Sequence, residues 1–243
     1  MRIPRIHTAQ ALSIGATIVL EEQASAHISR ALRLPLDNPV RVFNGEGGEF
    51  LSRICAINKK SVSLLIESFQ ADNLSSCLTT HIAVGVSKGD KMDLIVQKST
   101  ELGVSHIYPI ITERCDVKMP QERWQKKVDR WQEISISACE QSGRNSVPQV
   151  HQVQTFAQWL DSSASFTRCL FHPSGEVIFS AIETQHILGM AFGSEGGFSD
   201  TEIVLAKQSG CYITRLGSRV LRAETAPIAA LAIAQAQWGD LLQ

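Results

Sequence analysis

Between residues 70 and 79 the stretch QADNLSSCLT carries no hydrophobic periodicity, and the patterns on its two sides differ in kind. Before it, short runs of strand character follow one another: Ile3–Ile6, Thr17–Leu20, Val40–Phe43, Glu49–Ile57 and Ser61–Phe69. Turn formers separate the last three, Gly45-Glu46-Gly47-Gly48 and Asn58-Lys59-Lys60, and this spacing predicts successive hairpins in a small barrel or sandwich. One helix breaks the run, over Glu21–Leu34, with Ala24, Ile28, Ala31 and Leu32 on one face. Beyond the polar stretch, strand and helix alternate, the signature of an α/β domain with a largely parallel sheet. The chain therefore reads as two domains, 1–72 and 73–243.

In the second domain the expected strands are His81–Val86, Ile107–Ile111, Phe166–Phe171, Ile187–Phe192 and Cys211–Leu216. Between them come helices. Gly89–Leu102 carries Met92, Ile95, Ser99 and Leu102 at steps of three and four, and Gly103 ends it. A long helix from Gln121 to about Gln141 has the stripe Trp124, Val128, Trp131, Ile134 and Ala138, opposite a solvated face of Arg123, Lys126, Lys127 and Arg130. A short helix is expected near Thr155–Leu160, and the capping box of Ser199 and Glu202 starts another that runs to Gln208. The last helix, Ala223–Trp238, tolerates Pro227 only in its first turn. It is apolar nearly all round, so it must be deeply buried or covered by another subunit.

Composition excludes little except extremes. With 44% hydrophobic and 19% charged residues the chain is neither disordered nor fibrous. Its 23 Lys and Arg against 24 Asp and Glu mean that any basic surface for nucleic acid must be local. Six cysteines, at 55, 77, 115, 139, 169 and 211, form no CxxC pair and read as small buried hydrophobes in a reducing compartment. The seven histidines form no HExxH motif, so no metal is expected. Arg2, Arg5 and the run Ala11–Leu20 imitate a secretory leader, but Ser13, Gly15 and Thr17 interrupt the run. No run of 18 apolar residues occurs, so no membrane span is expected, and the expected location is the cytoplasm.

Three loops follow three of the strands at their carboxyl ends, where open α/β sheets bind ligands: 171–176, 193–198 and 216–225. Gly193, Gly196, Gly197 and Gly217 let backbone approach a ligand closely and offer amides, while Arg222, Glu195 and Glu224 bring charge to the same crevice. Neither GxGxxG nor GxxxxGK[ST] is present, which removes most of the case for dinucleotide or Walker-type phosphate binding. Absence of GxSxG argues against a serine hydrolase.

The segments FGSEGGFSDTEI at 192–203 and LGSRVLRAETAPIAAL at 216–231 resemble the two most diagnostic motifs of the bacterial 16S ribosomal RNA (uracil-N3)-methyltransferases, of the SPOUT class. MRIPRI at the start, KGDKMDLIVQKSTELGV at 88–104 and ACEQSGRNSVPQV at 138–150 fit the same pattern in order and spacing. Ser194 stands where that family usually carries proline. The resemblance implies an N-terminal PUA-like β-barrel that helps hold RNA, and a SPOUT domain with a parallel sheet and a C-terminal trefoil knot. It also implies a homodimer packed through the terminal helices and S-adenosylmethionine as cofactor. The cofactor assignment falls on Leu170, His172, Pro173, Phe192, Gly193, Ser194, Gly196, Gly197, Leu216, Gly217, Ser218, Val220, Leu221, Thr225 and Ala226.

Within that resemblance Arg222 is the candidate to stabilise charge on the uracil oxygens, and Glu195 or Glu224 the candidate proton acceptor. Glu224 has an equally good structural role as a helix-start carboxylate. Arg2, Arg5, Arg30, Arg33, Lys88, Lys91 and Arg144 are the expected phosphate contacts to 16S rRNA or the small ribosomal subunit. Two other readings stay open at this point: a noncatalytic RNA-binding assembly factor and a small-molecule methyltransferase.

Overall fold

The computed structural model describes residues 3–71, 76–117, 119–184 and 186–242. The chain forms two compact units, one made of Met1–Ser75 with Cys139–Val147 and the other of Ser76–Ala138 with Pro148–Gln243.

The first unit is built on strands β1 (Arg5–His7), β2 (Thr17–Val19), β3 (Pro39–Phe43), β4 (Glu49–Ile57) and β5 (Val62–Gln70). They form one sheet in the order β1-β3-β4-β5-β2. β1 runs parallel to β3 and the other pairs are antiparallel. Inward-facing Ile6, Ile18, Val40, Val42, Ile54 and Leu64 pack with Ile28 from the helical segment as its core. That segment is shorter than its pattern predicts: α1 (Glu22–Ala26) passes into a π-helical turn, His27–Ala31, and stops. Pro35 explains the difference, because it disfavours helical backbone in the residue before it, and the chain turns out through Arg33 at φ 52°.

Arg5 is buried in this unit. Its guanidinium pairs with Glu49, which also pairs with Arg41, and donates to the Arg144 carbonyl at 2.9 Å and to Asn145 Oδ1 at 2.7 Å. A buried charge with partners of this kind holds structure together and does not face phosphate, so the expectation of an RNA contact at Arg5 is corrected.

The second unit contains β6 (Thr79–Gly85), α2 (Lys91–Glu101), β7 (His106–Ile111) and α3 (Gln121–Ser142), whose last residues belong to the first unit. It continues through β8 (Gln149–Val150), β9 (Gln154–Thr155), α4 (Phe156–Ser162), β10 (Thr167–Phe171), β11 (Val177–Ile178) and β12 (Ile187–Phe192). α5 (Asp200–Gln208), β13 (Tyr212–Arg215) and α6 (Thr225–Trp238) complete it. The sheet order is β11-β13-β10-β12-β6-β7-β8, with β9 also against β7, and every pairing is parallel.

Both sheet faces are covered, as parallel sheets require. Ile82 and Val84 of β6 join Met92, Ile95, Trp131 and Leu231 in one apolar layer, while Ala83 between them joins Ile110, Phe156, Trp159, Leu170 and Ala191 in the other. Capping boxes start α4 at Thr155 and α5 at Ser199. The two-residue strands β8, β9 and β11 are too short to leave a pattern in the sequence.

Two expectations about side chains need amending. Cys115, Cys139, Cys169 and Cys211 are buried, but Cys55 and Cys77 are exposed, so burial is not shared by all six. In α6, Pro227, Ala230, Leu231 and Ala234 are buried against the unit, while Ile233 is 41% exposed. Among the described residues no helix is long and apolar enough to cross a membrane, and no cluster of His, Cys, Asp and Glu could hold a metal ion.

Candidate functional site

In the second unit a cavity of about 460 Å³ opens at the carboxyl ends of β10, β12 and β13. The three predicted loops meet there. His172 and Pro173 come from the first, Gly193–Phe198 from the second, and Leu216, Gly217 and Arg219–Ala223 from the third, with Ala226 in the first turn of α6.

Local chemistry shapes each loop. After β10 the His172 amide donates to the Thr214 carbonyl at 2.9 Å, and the His172 carbonyl accepts from Gly175, a turn that seats the loop against β13. After β12 the Gly197 amide donates to the Ser194 carbonyl at 2.9 Å and closes a tight turn in which Gly197 takes φ 68°. A Cβ on Gly196 would stand 2.7 Å from the Arg114 carbonyl, so only glycine fits there. Gly217, at φ 69°, makes the corresponding turn after β13, and the Arg222 carbonyl accepts from Thr225 and Ala226 to begin α6.

Most of the expected cofactor residues line the cavity: His172, Pro173, Phe192, Gly193, Ser194, Gly196, Gly197, Leu216, Gly217, Val220, Leu221 and Ala226. Leu170, Ser218 and Thr225 do not. Leu170 is fully buried in the core, since alternate residues of β10 point to opposite sides of the sheet. Phe171, its neighbour, reaches the cavity instead, stacked on Phe192 with ring centres 4.8 Å apart.

Arg222 and Glu195 line the cavity, and so does Lys91 from the start of α2. Lys91 was expected on the RNA-facing surface; the structure places it here, its Nζ donating to Glu195 Oε1 at 2.8 Å and lying 3.9 Å from Glu224 Oε2. Glu224 immediately precedes α6 without making a capping hydrogen bond, and its buried Oε2 has no hydrogen-bond partner. For Glu195, burial works to raise the carboxyl pKa, but the hydrogen bond and charge of Lys91, with hydrogen bonds from the loop backbone and Ser87, together outweigh it and hold the group below the ordinary carboxylate value. A proton acceptor benefits from the opposite shift.

The remaining RNA candidates are scattered. Arg30 and Arg33 are exposed on the first unit, whereas Arg144 there is partly buried. Lys88, in the second unit, is exposed and pairs with Asp116 at 2.7 Å. Arg2 lies outside the described residues. Sequence reasoning missed Arg114, Arg215 and Arg219, which with Lys91 and Arg222 give the cavity five cationic side chains. Arg219 was legible, three residues before Arg222 in the same loop. Arg114 follows β7, and the strand order that brings it beside the β12 loop is not readable from local pattern.

The chain matches the family model described as RNA methyltransferase domain over residues 74–235. It is 35% identical over 242 residues to the ribosomal RNA small subunit methyltransferase E of Buchnera aphidicola subsp. Schizaphis graminum, covering 99% of this chain and 98% of that protein. Among solved structures, a methyltransferase from Legionella pneumophila in complex with the bound cofactor SAM superposes with TM-score 0.96 at 38% identity, over 99% of this chain and 100% of that one. The ribosomal RNA small subunit methyltransferase E of Neisseria gonorrhoeae, bound to S-adenosyl methionine, gives TM-score 0.93 at 35% identity, over 98% of this chain and 99% of that one.

Proposed function

Because the chain belongs to the RNA methyltransferase family, in the small subunit methyltransferase E group, we propose that it methylates N3 of a specific uridine in 16S rRNA, using S-adenosylmethionine. The observation that carries this reading is the meeting of Arg222, Glu195 and Lys91 around one glycine-lined cavity at the carboxyl edge of the parallel sheet.

The residues present fit the cofactor. Phe171, Phe192, Leu216 and Leu221 offer apolar walls for a purine, and the cations offer partners for a carboxylate. Ser194 lines the cavity, and its hydroxyl is buried without a hydrogen-bond partner, which leaves it a donor to offer a ligand. When bound, S-adenosylmethionine supplies an electrophilic methyl group on a sulfonium centre.

What the chain must add is alignment and proton management. Uracil N3 holds a proton at neutral pH; when the N–H bond breaks, its electron pair remains on nitrogen and becomes available for the new N–C bond. Charge in that state spreads to the flanking carbonyl oxygens, where the Arg222 guanidinium stabilises it. Of the two candidate acceptors Glu195 lines the cavity, held by Lys91, whereas Glu224 does not line it and its Oε2 is buried. N3 lies on the Watson–Crick edge, so a paired target must be exposed first.

The same reading takes residues 1–72 as a PUA-like barrel that helps hold RNA, and residues 73–243 as a SPOUT domain with a trefoil knot. It places the protein in the cytoplasm as a homodimer, and the exposed Ile233 on an otherwise apolar α6 supports cover by a second copy. The test is mass-spectrometric mapping of methylated nucleosides in small-subunit rRNA from cells with and without the protein. N3-methyluridine lost from one position on deletion and regained on complementation is expected; unchanged rRNA rejects the assignment.

A further inference from the structure

Lys91 is the first residue of α2, where the positive end of the helix dipole disfavours a cation. It is nevertheless half-buried, with 33% of its side chain exposed, and is held by carboxylates from two different loops. Glu195 comes from the loop after β12 and Glu224 is the residue before α6, so one ammonium ties together two of the three loops that meet at the cavity. Local energetics favour an acidic residue at this position, and the departure from that rule at a functional cavity calls for a functional reason.

We propose that Lys91 is a positioning residue for methyl transfer: its ammonium ties the β12 loop, through Glu195, to the start of α6, through Glu224, and so holds the two segments in place beside the cavity. The inference rests on the functional reading above and adds a division of labour between the two carboxylates. Glu195 is the anchor, since its oxygen is engaged by Lys91 at 2.8 Å. Glu224 is the second tether, its Oε2 lying 3.9 Å from the same ammonium.

Other charged groups surround the pair. Arg114 reaches the Gly196 carbonyl at 3.5 Å, Lys88 is engaged by Asp116, and Arg215, Arg219 and Arg222 line the third loop. Their collective charge also favours the ionised form of Glu195, so loss of Lys91 shifts its titration without abolishing it.

The experiment compares wild type with Lys91→Met and Lys91→Arg. In the full-length protein without RNA or cofactor, labelled with carbon-13 at the glutamate carboxyl, the Glu195 resonance is assigned through Glu195→Gln. In Lys91→Met its midpoint should rise, and in Lys91→Arg it should stay near wild type. With small-subunit rRNA, Lys91→Met should lose about tenfold or more in kcat with KM changed much less, and Lys91→Arg should restore kcat.

A Glu195 midpoint that ignores Lys91→Met overturns the proposal, as does a wild-type kcat in that variant or a loss that Lys91→Arg does not restore. Failure of wild type to methylate small-subunit rRNA overturns the functional reading instead. The carboxyl titration needs neither substrate nor cofactor, so the two failures are separable.

Discussion

A Cβ placed on Gly85 would stand 2.3 Å from the backbone nitrogen of Ser194, closer than real contacts allow. The end of β6 thus presses directly on the loop after β12, and backbone meets backbone with no flexible side chain to yield. Gly85→Ala should displace that loop. A destabilisation of about 1–3 kcal/mol is expected from overpacking, together with loss of most cofactor binding. Thermal denaturation and calorimetry with S-adenosylmethionine measure the two effects; unchanged binding would show that the loop absorbs the methyl group.

The Ser194 hydroxyl gives a prediction in which stability and affinity move apart. It is buried and unpartnered, so Ser194→Ala removes a desolvated hydroxyl from the free protein, whose melting temperature should stay the same or rise. If the hydroxyl bonds the ligand, the variant should bind S-adenosylmethionine about fivefold more weakly, near 1 kcal/mol. Equal affinity in calorimetry would remove Ser194 from the contact.

For Arg222 the expected signature is kinetic. Arg222→Ala should lower turnover about 100-fold, as loss of one donor to a developing oxyanion does elsewhere, while cofactor affinity changes much less. Turnover equal to wild type takes the guanidinium out of the mechanism.

Acid sensitivity should come from a site away from the cavity. His81 stacks on His106, Tyr108 stacks on His151, and His81 Nδ1 lies 3.1 Å from the Tyr108 hydroxyl. Burial, and after it the charge of neighbouring histidines, lowers both His81 and His151 to about 4. An unfolded histidine titrates near 6.5, so between about 6.5 and 4 the unfolded chain binds more protons than the folded one. Stability from this cluster is therefore complete above that window and falls as pH drops through it. Melting curves at constant ionic strength should show the decline, and His81→Gln should flatten it; an identical slope in the variant would place the acid sensitivity elsewhere.

The division at 70–79 and the long elements were legible because their patterns are local. The stripe from Trp124 to Ala138 and the capping box of Ser199 and Glu202 each signal an element within one stretch of chain. The glycine loops were legible for the same reason, as punctuation after apolar strands. Lys91 was not, because its role depends on β6 lying beside β12, a pairing between segments more than a hundred residues apart. Arg5 misled for a related reason: a terminal arginine in sequence is indistinguishable from a surface charge until Glu49 and Asn145 are found around it.

Residues 139–147 belong with the N-terminal sheet although most of α3, and the first strands of the other unit, come before them. Neither half of the molecule is therefore a contiguous length of polypeptide. During synthesis, Arg5 cannot meet Asn145 until the ribosome has translated well past the linker, so the part made first is not the part finished first.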